Sequence, residues 1–156
     1  MALLTVAEAA GRLAALQAAG KRVVFTNGVF DLLHPGHVRY LESARQFGDA
    51  LFVGLNGDRS VCANKGPDRP IVPELERAEI LSALTCVDAV VLFDEPTPHA
   101  LIAALGPDVL VKGADWAEDA IVGRDIVESR GGQVVRVRVE PGYSTSALVQ
   151  KIRDIF

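Results

Sequence analysis

Four short apolar runs recur along the chain: Arg22–Thr26 (RVVFT), Ala50–Leu55 (ALFVGL), Ala89–Phe93 (AVVLF) and Val109–Val111 (VLV). Between them lie segments with helical spacing, around residues 37–47, 74–84 and 97–105. A fifth run, Val134–Val139, alternates apolar and basic residues, and helical spacing returns around 123–130 and 145–155. Strands that alternate with helices form βαβ units, which close into a parallel sheet. Continuous apolar strands are those covered on both faces, and the alternating fifth fits a sheet edge. At the N-terminus, Thr5 and Glu8 have the spacing of a capping box, which predicts a helix running to Gly20. The expectation is an α/β, Rossmann-like, doubly wound five-stranded parallel sheet in a single domain over residues 1–156.

Composition narrows the class. A chain of 156 residues, 49% hydrophobic, is long enough to bury a full core and too apolar for disorder. Its 16 basic and 20 acidic residues give a net charge of −4, which argues against nucleic acid as partner. No apolar run approaches the length of a membrane span, and no leader pattern precedes the first helix. The two cysteines, Cys62 and Cys86, make no disulfide framework. A cytoplasmic protein with reduced thiols is expected.

In doubly wound sheets, ligands bind at the carboxyl ends of the strands. The first apolar run leads into neither a dinucleotide fingerprint nor a P-loop. It leads into TNGVFDLLHPGHVRYL, Thr26 to Leu41. Pro35 suits the first turn of a helix, and Gly36 lets a ligand approach the backbone. His34 and His37 therefore stand at a helix N-terminus, beside unpaired N–H donors and the positive dipole end, an arrangement suited to phosphate. A metal site and a purely structural cap are the alternatives on these residues alone. The stretch 64–73 (NKGPDRPIVP), rich in Pro, Gly and charge, reads as a mobile loop carrying Lys65 and Arg69.

The pattern Gly28-x-Phe30-Asp31-x-x-His34-x-Gly36-His37 resembles the signature of the cytidylyltransferase-like nucleotidyltransferases. Lys65-Gly66, Arg69-Pro70, Glu76-Arg77, Val111–Asp115 and Gly142–Ser146 fall where that family has its other motifs, so the resemblance covers nearly the whole chain. KGPDRPIVP, VDAVVLFDEPTP and LVKGADW are most similar to the adenylyltransferase part of enzymes that make ADP-heptose from heptose 1-phosphate. Where cytidylyltransferase relatives carry an RTEGISTT-like segment, this chain reads VEPGYSTS, without the arginine.

The resemblance implies transfer of AMP from ATP, with Mg²⁺, to a sugar 1-phosphate. In this reading His34, His37 and Lys65 are catalytic. Thr26, Asn27, Gly28, Val29, Phe30, Gly36, Lys112, Gly113, Asp115, Ser144, Thr145 and Ser146 bind the nucleotide. Asp31, Asn56, Lys65, Arg69 and Arg77 face the acceptor. No metal is held by the protein itself. Those relatives are often fused to a sugar kinase; this chain has no room for one, so a stand-alone enzyme is expected, as a homodimer. Rival readings are a cytidylyltransferase for glycerol 3-phosphate or another polyol phosphate, and a nucleotide-binding module without catalysis.

Overall fold

The computed structural model describes residues 2–156. Five main strands, β2 (Val23–Gly28), β3 (Ala50–Asn56), β4 (Ala89–Phe93), β5 (Val109–Gly113) and β6 (Gln133–Val137), lie parallel, joined by a short first strand β1 (Leu3–Leu4). The order across the sheet is β1-β4-β3-β2-β5-β6. The helices are α1 (Val6–Ala18), α2 (Pro35–Arg45), α3 (Asp58–Lys65), α4 (Glu74–Ser82), α5 (His99–Leu105), α6 (Arg124–Ser129) and α7 (Thr145–Ile155).

Alternation along each strand sends side chains to two cores. Val23, Phe25 and Phe52 meet Ala9 and Leu13 of α1, Leu101 and Ile102 of α5, and Val127 of α6. Val24, Leu51 and Val53 meet Leu41 and Ala44 of α2 and Ala78 and Leu81 of α4 on the other face. The sheet is thus covered on both sides, which is why its central strands are apolar throughout.

Two expectations are corrected. The sheet has six strands rather than five, because Leu3–Leu4 pairs with Val90–Val91 at the edge. Two residues are too short to display any period. The segment read as mobile loop begins inside a helix: α3 runs to Lys65 and stops at Gly66, whose φ is 103°. Thr5 and Glu8 do form the capping box, through Thr5 Oγ1 accepting from the Glu8 N–H and the Glu8 carboxylate accepting from the Thr5 N–H. Cys62 and Cys86 are free thiols. No helix of the described residues is long and apolar enough to cross a membrane.

The chain steps from β2 outward to β3 and β4, then returns across the sheet to β5. Strand order therefore reverses at β2, and the crevice between the ends of β2 and β5 is where such sheets bind ligands. Beside it, Arg77 of α4 is buried with 1% of its surface exposed. Its Nη1 donates to the Val29 carbonyl at 2.7 Å and the Asn56 carbonyl at 2.8 Å, its Nε to the Val72 carbonyl at 2.8 Å, and its Nη2 to the Asp58 carboxylate at 2.8 Å. One guanidinium thus joins four segments that surround the crevice. Arg77→Ala strands three carbonyls, each worth about 1–3 kcal/mol when left unpaired in the interior. A loss of about 3 kcal/mol or more is expected in urea unfolding at pH 7, with Arg77→Lys recovering only part of it, because one ammonium cannot span the same fork. Stability within 1 kcal/mol of wild type in Arg77→Ala would remove this bracing role.

Candidate active site

A cavity of about 450 Å³ opens at the carboxyl ends of β2 and β5. Its floor is the segment after β2. Phe30 there is the one non-glycine residue of the described chain with positive φ, at 47°. That conformation costs about 1–2 kcal/mol. It lays the Phe30 ring under Gly28, where a Cβ would come within 2.8 Å of it, and edge-on to His37 with ring centres 5.3 Å apart.

His34 is the N-cap of α2, and its Nδ1 accepts from the His37 backbone N–H at 3.3 Å. Accepting there leaves the His34 ring proton on Nε2. The two imidazoles stack with centres 3.7 Å apart and planes 19° from parallel. Two stacked cations would repel, and the rings are half-buried. Burial pushes the His37 pKa down to about 4, with His34 adding to the shift, and burial lowers His34 as well. Both are neutral at pH 7. His37 Nδ1 is buried and has no hydrogen-bond partner among the described residues. Gly36 is required by packing: a Cβ would lie 2.9 Å from the His34 ring and 2.9 Å from Cβ of Tyr143.

Around this floor the structure gathers Asn27, Gly28, Val29, Phe30, Asp31 and Gly36 from the first crossover, and Lys65 and Arg69 from α3 and the segment after it. Lys112, Gly113 and Asp115 arrive from β5, and Ser144, Thr145 and Ser146 from the start of α7. Lys112 Nζ donates to Asn27 Oδ1 at 3.3 Å; burial lowers its pKa, and Asp115 opposes that shift. Ser144 Oγ caps α7 by accepting from the Ala147 N–H at 3.0 Å, and the Thr145 hydroxyl donates to the Leu32 carbonyl at 3.2 Å. Two of the three hydroxyls therefore already serve the protein, and that of Thr145 ties α7 to the floor.

Four expected placements differ. Arg77 holds the carbonyls described above and does not reach the cavity wall. Asn56 is spent on Ser60, its Nδ2 donating to Oγ at 3.2 Å. Thr26 is fully buried, donating to the Val111 carbonyl at 2.9 Å and paired with the Tyr40 hydroxyl at 2.9 Å. Asp31 lines the cavity, but its carboxylate accepts from the N–H groups of Ile71 and Val72 and from Arg69 Nε at 2.9 Å. Burial alone would raise its pKa; these three partners outweigh it and hold the group below its ordinary value. Asp31 thus fastens the 69–72 segment from its place on the cavity wall.

Tyr40, Trp116, Val139, Glu140 and Tyr143, to which the sequence assigned no role, also lie on the cavity wall. Tyr40 follows His37 by three residues on α2, a spacing that puts both on one face. Its phenol is buried and its pKa pushed up to about 12. Tyr143 stacks on His34 with centres 5.9 Å apart and carries the Arg39 guanidinium 5.5 Å from its own centre.

An α/β crevice with paired histidines at a helix N-terminus and cations on either side defines a phosphate-handling site. A family model described as Cytidylyltransferase-like matches residues 25–153, and the chain belongs to this family of nucleotidyltransferases. Among its relatives, a bifunctional protein HldE of Citrifermentans bemidjiense is 58% identical over 133 residues, 85% of this chain and 27% of that protein. The protein of the same name from Geobacter sulfurreducens is 57% identical over 143 residues, 92% of this chain and 29% of that protein. The chain thus spans less than a third of the length of these curated relatives. A solved lipopolysaccharide core biosynthesis protein from Thermoplasma volcanium is 30% identical, with a TM-score of 0.64 over 78% of this chain and 98% of that one. Pantoate-beta-alanine ligase from Francisella tularensis, at 14% identity and a TM-score of 0.63 over 94% of this chain and 69% of that one, shares the fold.

The depressed histidine pKa values set a pH dependence of stability. Between the ordinary histidine value near 6.5 and His37's value of about 4, the unfolded chain binds a proton that the native chain refuses. Stability therefore falls as pH drops through that window. The urea midpoint is expected to decline from pH 7 to pH 5, and to decline less in His37→Gln. Equal declines in the two proteins would show that His37 titrates normally in the folded chain.

Proposed function

We propose that the chain transfers AMP from ATP to a sugar 1-phosphate, with heptose 1-phosphate as the favoured acceptor, giving an ADP-sugar and pyrophosphate. The observation that carries this reading is the pair of neutral, stacked histidines on the α2 N-terminus, inside a cavity flanked by Lys65, Arg69 and Lys112. Likeness to bifunctional HldE proteins and to a lipopolysaccharide core biosynthesis protein supports this reading.

In the proposed reaction an acceptor phosphate oxygen bonds to the α-phosphorus as the bond to the α–β bridging oxygen breaks. Pyrophosphate leaves with that electron pair. No covalent enzyme intermediate is needed; positioning and stabilisation of developing charge suffice. Ring N–H groups of His34 and His37, together with the Gly36 N–H of the α2 terminus, would meet the α-phosphate oxygens. Lys65 would neutralise the departing pyrophosphate or the incoming acceptor phosphate, with Arg69 behind it. Gly28 and Gly113 would admit the nucleotide close to the backbone, and Asp115 would accept from ribose hydroxyls.

Mg²⁺ belongs to the substrate in this reading. Among the described residues no group of three or more His, Cys, Asp or Glu side chains is arranged to hold a metal. The cation would ride on the triphosphate's own oxygens and water, as Mg²⁺ commonly does.

The test is pyrophosphate release from each of four nucleoside triphosphates against a panel holding heptose 1-phosphates, other sugar phosphates and glycerol 3-phosphate. ATP with a heptose 1-phosphate is expected to turn over, with kcat/KM at least about tenfold above that of CTP, because a site that pairs with one base leaves polar groups unpaired with the other. A preference for CTP and glycerol 3-phosphate would reassign the substrates. Binding without turnover across the panel would reduce the chain to a nucleotide-binding module. His37→Ala is expected to keep the fold and lose about 10²–10³ in rate, the usual effect of removing one transition-state donor.

A further inference from the structure

We infer that Trp116, flanked by Val139, is the platform on which the nucleotide base stacks, so that the β5–β6 end of the cavity reads the base and the α3 end receives the acceptor. This rests on the nucleotidyltransferase reading above and adds a residue and a polarity to it. The cavity has two chemically different ends. Lys65 and Arg69 make one end cationic, suited to phosphate. At the other end two large apolar side chains remain open on the wall, Trp116 with 47% and Val139 with 45% of its surface exposed. Apolar groups left open inside a ligand cavity await an apolar face of a ligand. A purine or pyrimidine has two such faces; a sugar phosphate presents mostly hydroxyls and charge.

Position agrees with chemistry. Trp116 follows β5, the strand beside β2 at the reversal of strand order, where nucleotides lie in sheets of this type. Its indole is exposed, on a backbone that is held at both its N–H and its carbonyl. The Trp116 N–H donates to the Gly113 carbonyl at 3.1 Å, and its carbonyl accepts from Arg136 Nη1 at 3.2 Å. Lys112 Nζ stands 5.0 Å from the ring centre. Val139 comes over the strand end from the other side, its Cγ2 lying 3.0 Å from where a Cβ on Gly113 would stand. Asp115 shares that spot, its Oδ1 lying 2.5 Å from the same point. A carboxylate for ribose thus adjoins an apolar seat for the base.

Trp116 is the sole tryptophan of the chain, so its emission reports this end of the cavity alone. The experiment titrates the wild-type protein with ATP, with inorganic tripolyphosphate and with a sugar 1-phosphate, following tryptophan fluorescence, and measures affinities by calorimetry. ATP is expected to quench the emission saturably. Tripolyphosphate is expected to compete with ATP while leaving the emission unchanged, since it has no base. Trp116→Leu should weaken ATP about tenfold, in the range found for loss of one base–aromatic stack. It should leave tripolyphosphate affinity as it was, with Trp116→Phe restoring most of the loss. ATP binding without a change in emission, a response to the sugar phosphate instead, or equal losses for ATP and tripolyphosphate would overturn the proposal. If CTP rather than ATP binds and quenches, the base platform stands and the adenylyl reading falls. If no nucleotide binds, both fall.

Discussion

The crevice exists in its present shape because a single buried guanidinium holds its surroundings together. Arg77 takes carbonyls from the segment after β2, from the end of β3 and from the segment ahead of α4, and a carboxylate from the start of α3. None of these carbonyls has a strand or helix partner to fall back on, since each lies where regular structure stops. A charge this deep needs full satisfaction, and four hydrogen bonds supply it. The floor beneath the histidines is thereby made as rigid as the sheet, although it consists of connecting segments.

On that floor the electrostatics would suit the phosphates of the proposed reaction. Neutral histidines, a helix N-terminus and a lysine whose charge is disfavoured by burial all become more favourable when phosphate oxygens arrive. Anionic charge raises the proton affinity of both imidazoles, so occupancy and protonation are linked. The strain at Phe30 belongs to the same arrangement. It wedges an aromatic ring edge-on against His37.

The β-strands and the histidine turn were legible because their signals are local: apolar runs, a proline at a helix start, a signature of fixed spacing. What failed to read was settled by partners distant in sequence. Asp31 and Arg77 are charged residues inside or beside recognisable motifs, which made them look like ligand contacts. Their partners, Ile71 and Val72 for Asp31 and Val29 and Asn56 for Arg77, meet them only after the chain has folded. Helix α3 (DRSVCANK) is short and mostly polar, so its two buried residues, Ser60 and Val61, left no visible stripe. Tyr143 and Trp116 had no partner in local spacing either; one is placed by stacking on His34 and the other by a turn and an arginine.

The grip of Asp31 on the segment from Arg69 to Val72 bears on timing. That stretch has no helix or strand, yet its backbone is clamped by a buried carboxylate, and Lys65 ends a helix instead of hanging from a loop. With Arg69 itself held by Asp31, the cationic end of the cavity adapts through the side chain of Lys65. Such rearrangements take roughly picoseconds to nanoseconds, against about nanoseconds to microseconds for a loop swinging as a unit. In the proposed reaction, a phosphate reaching this end would wait on a side chain and not on the swing of a loop.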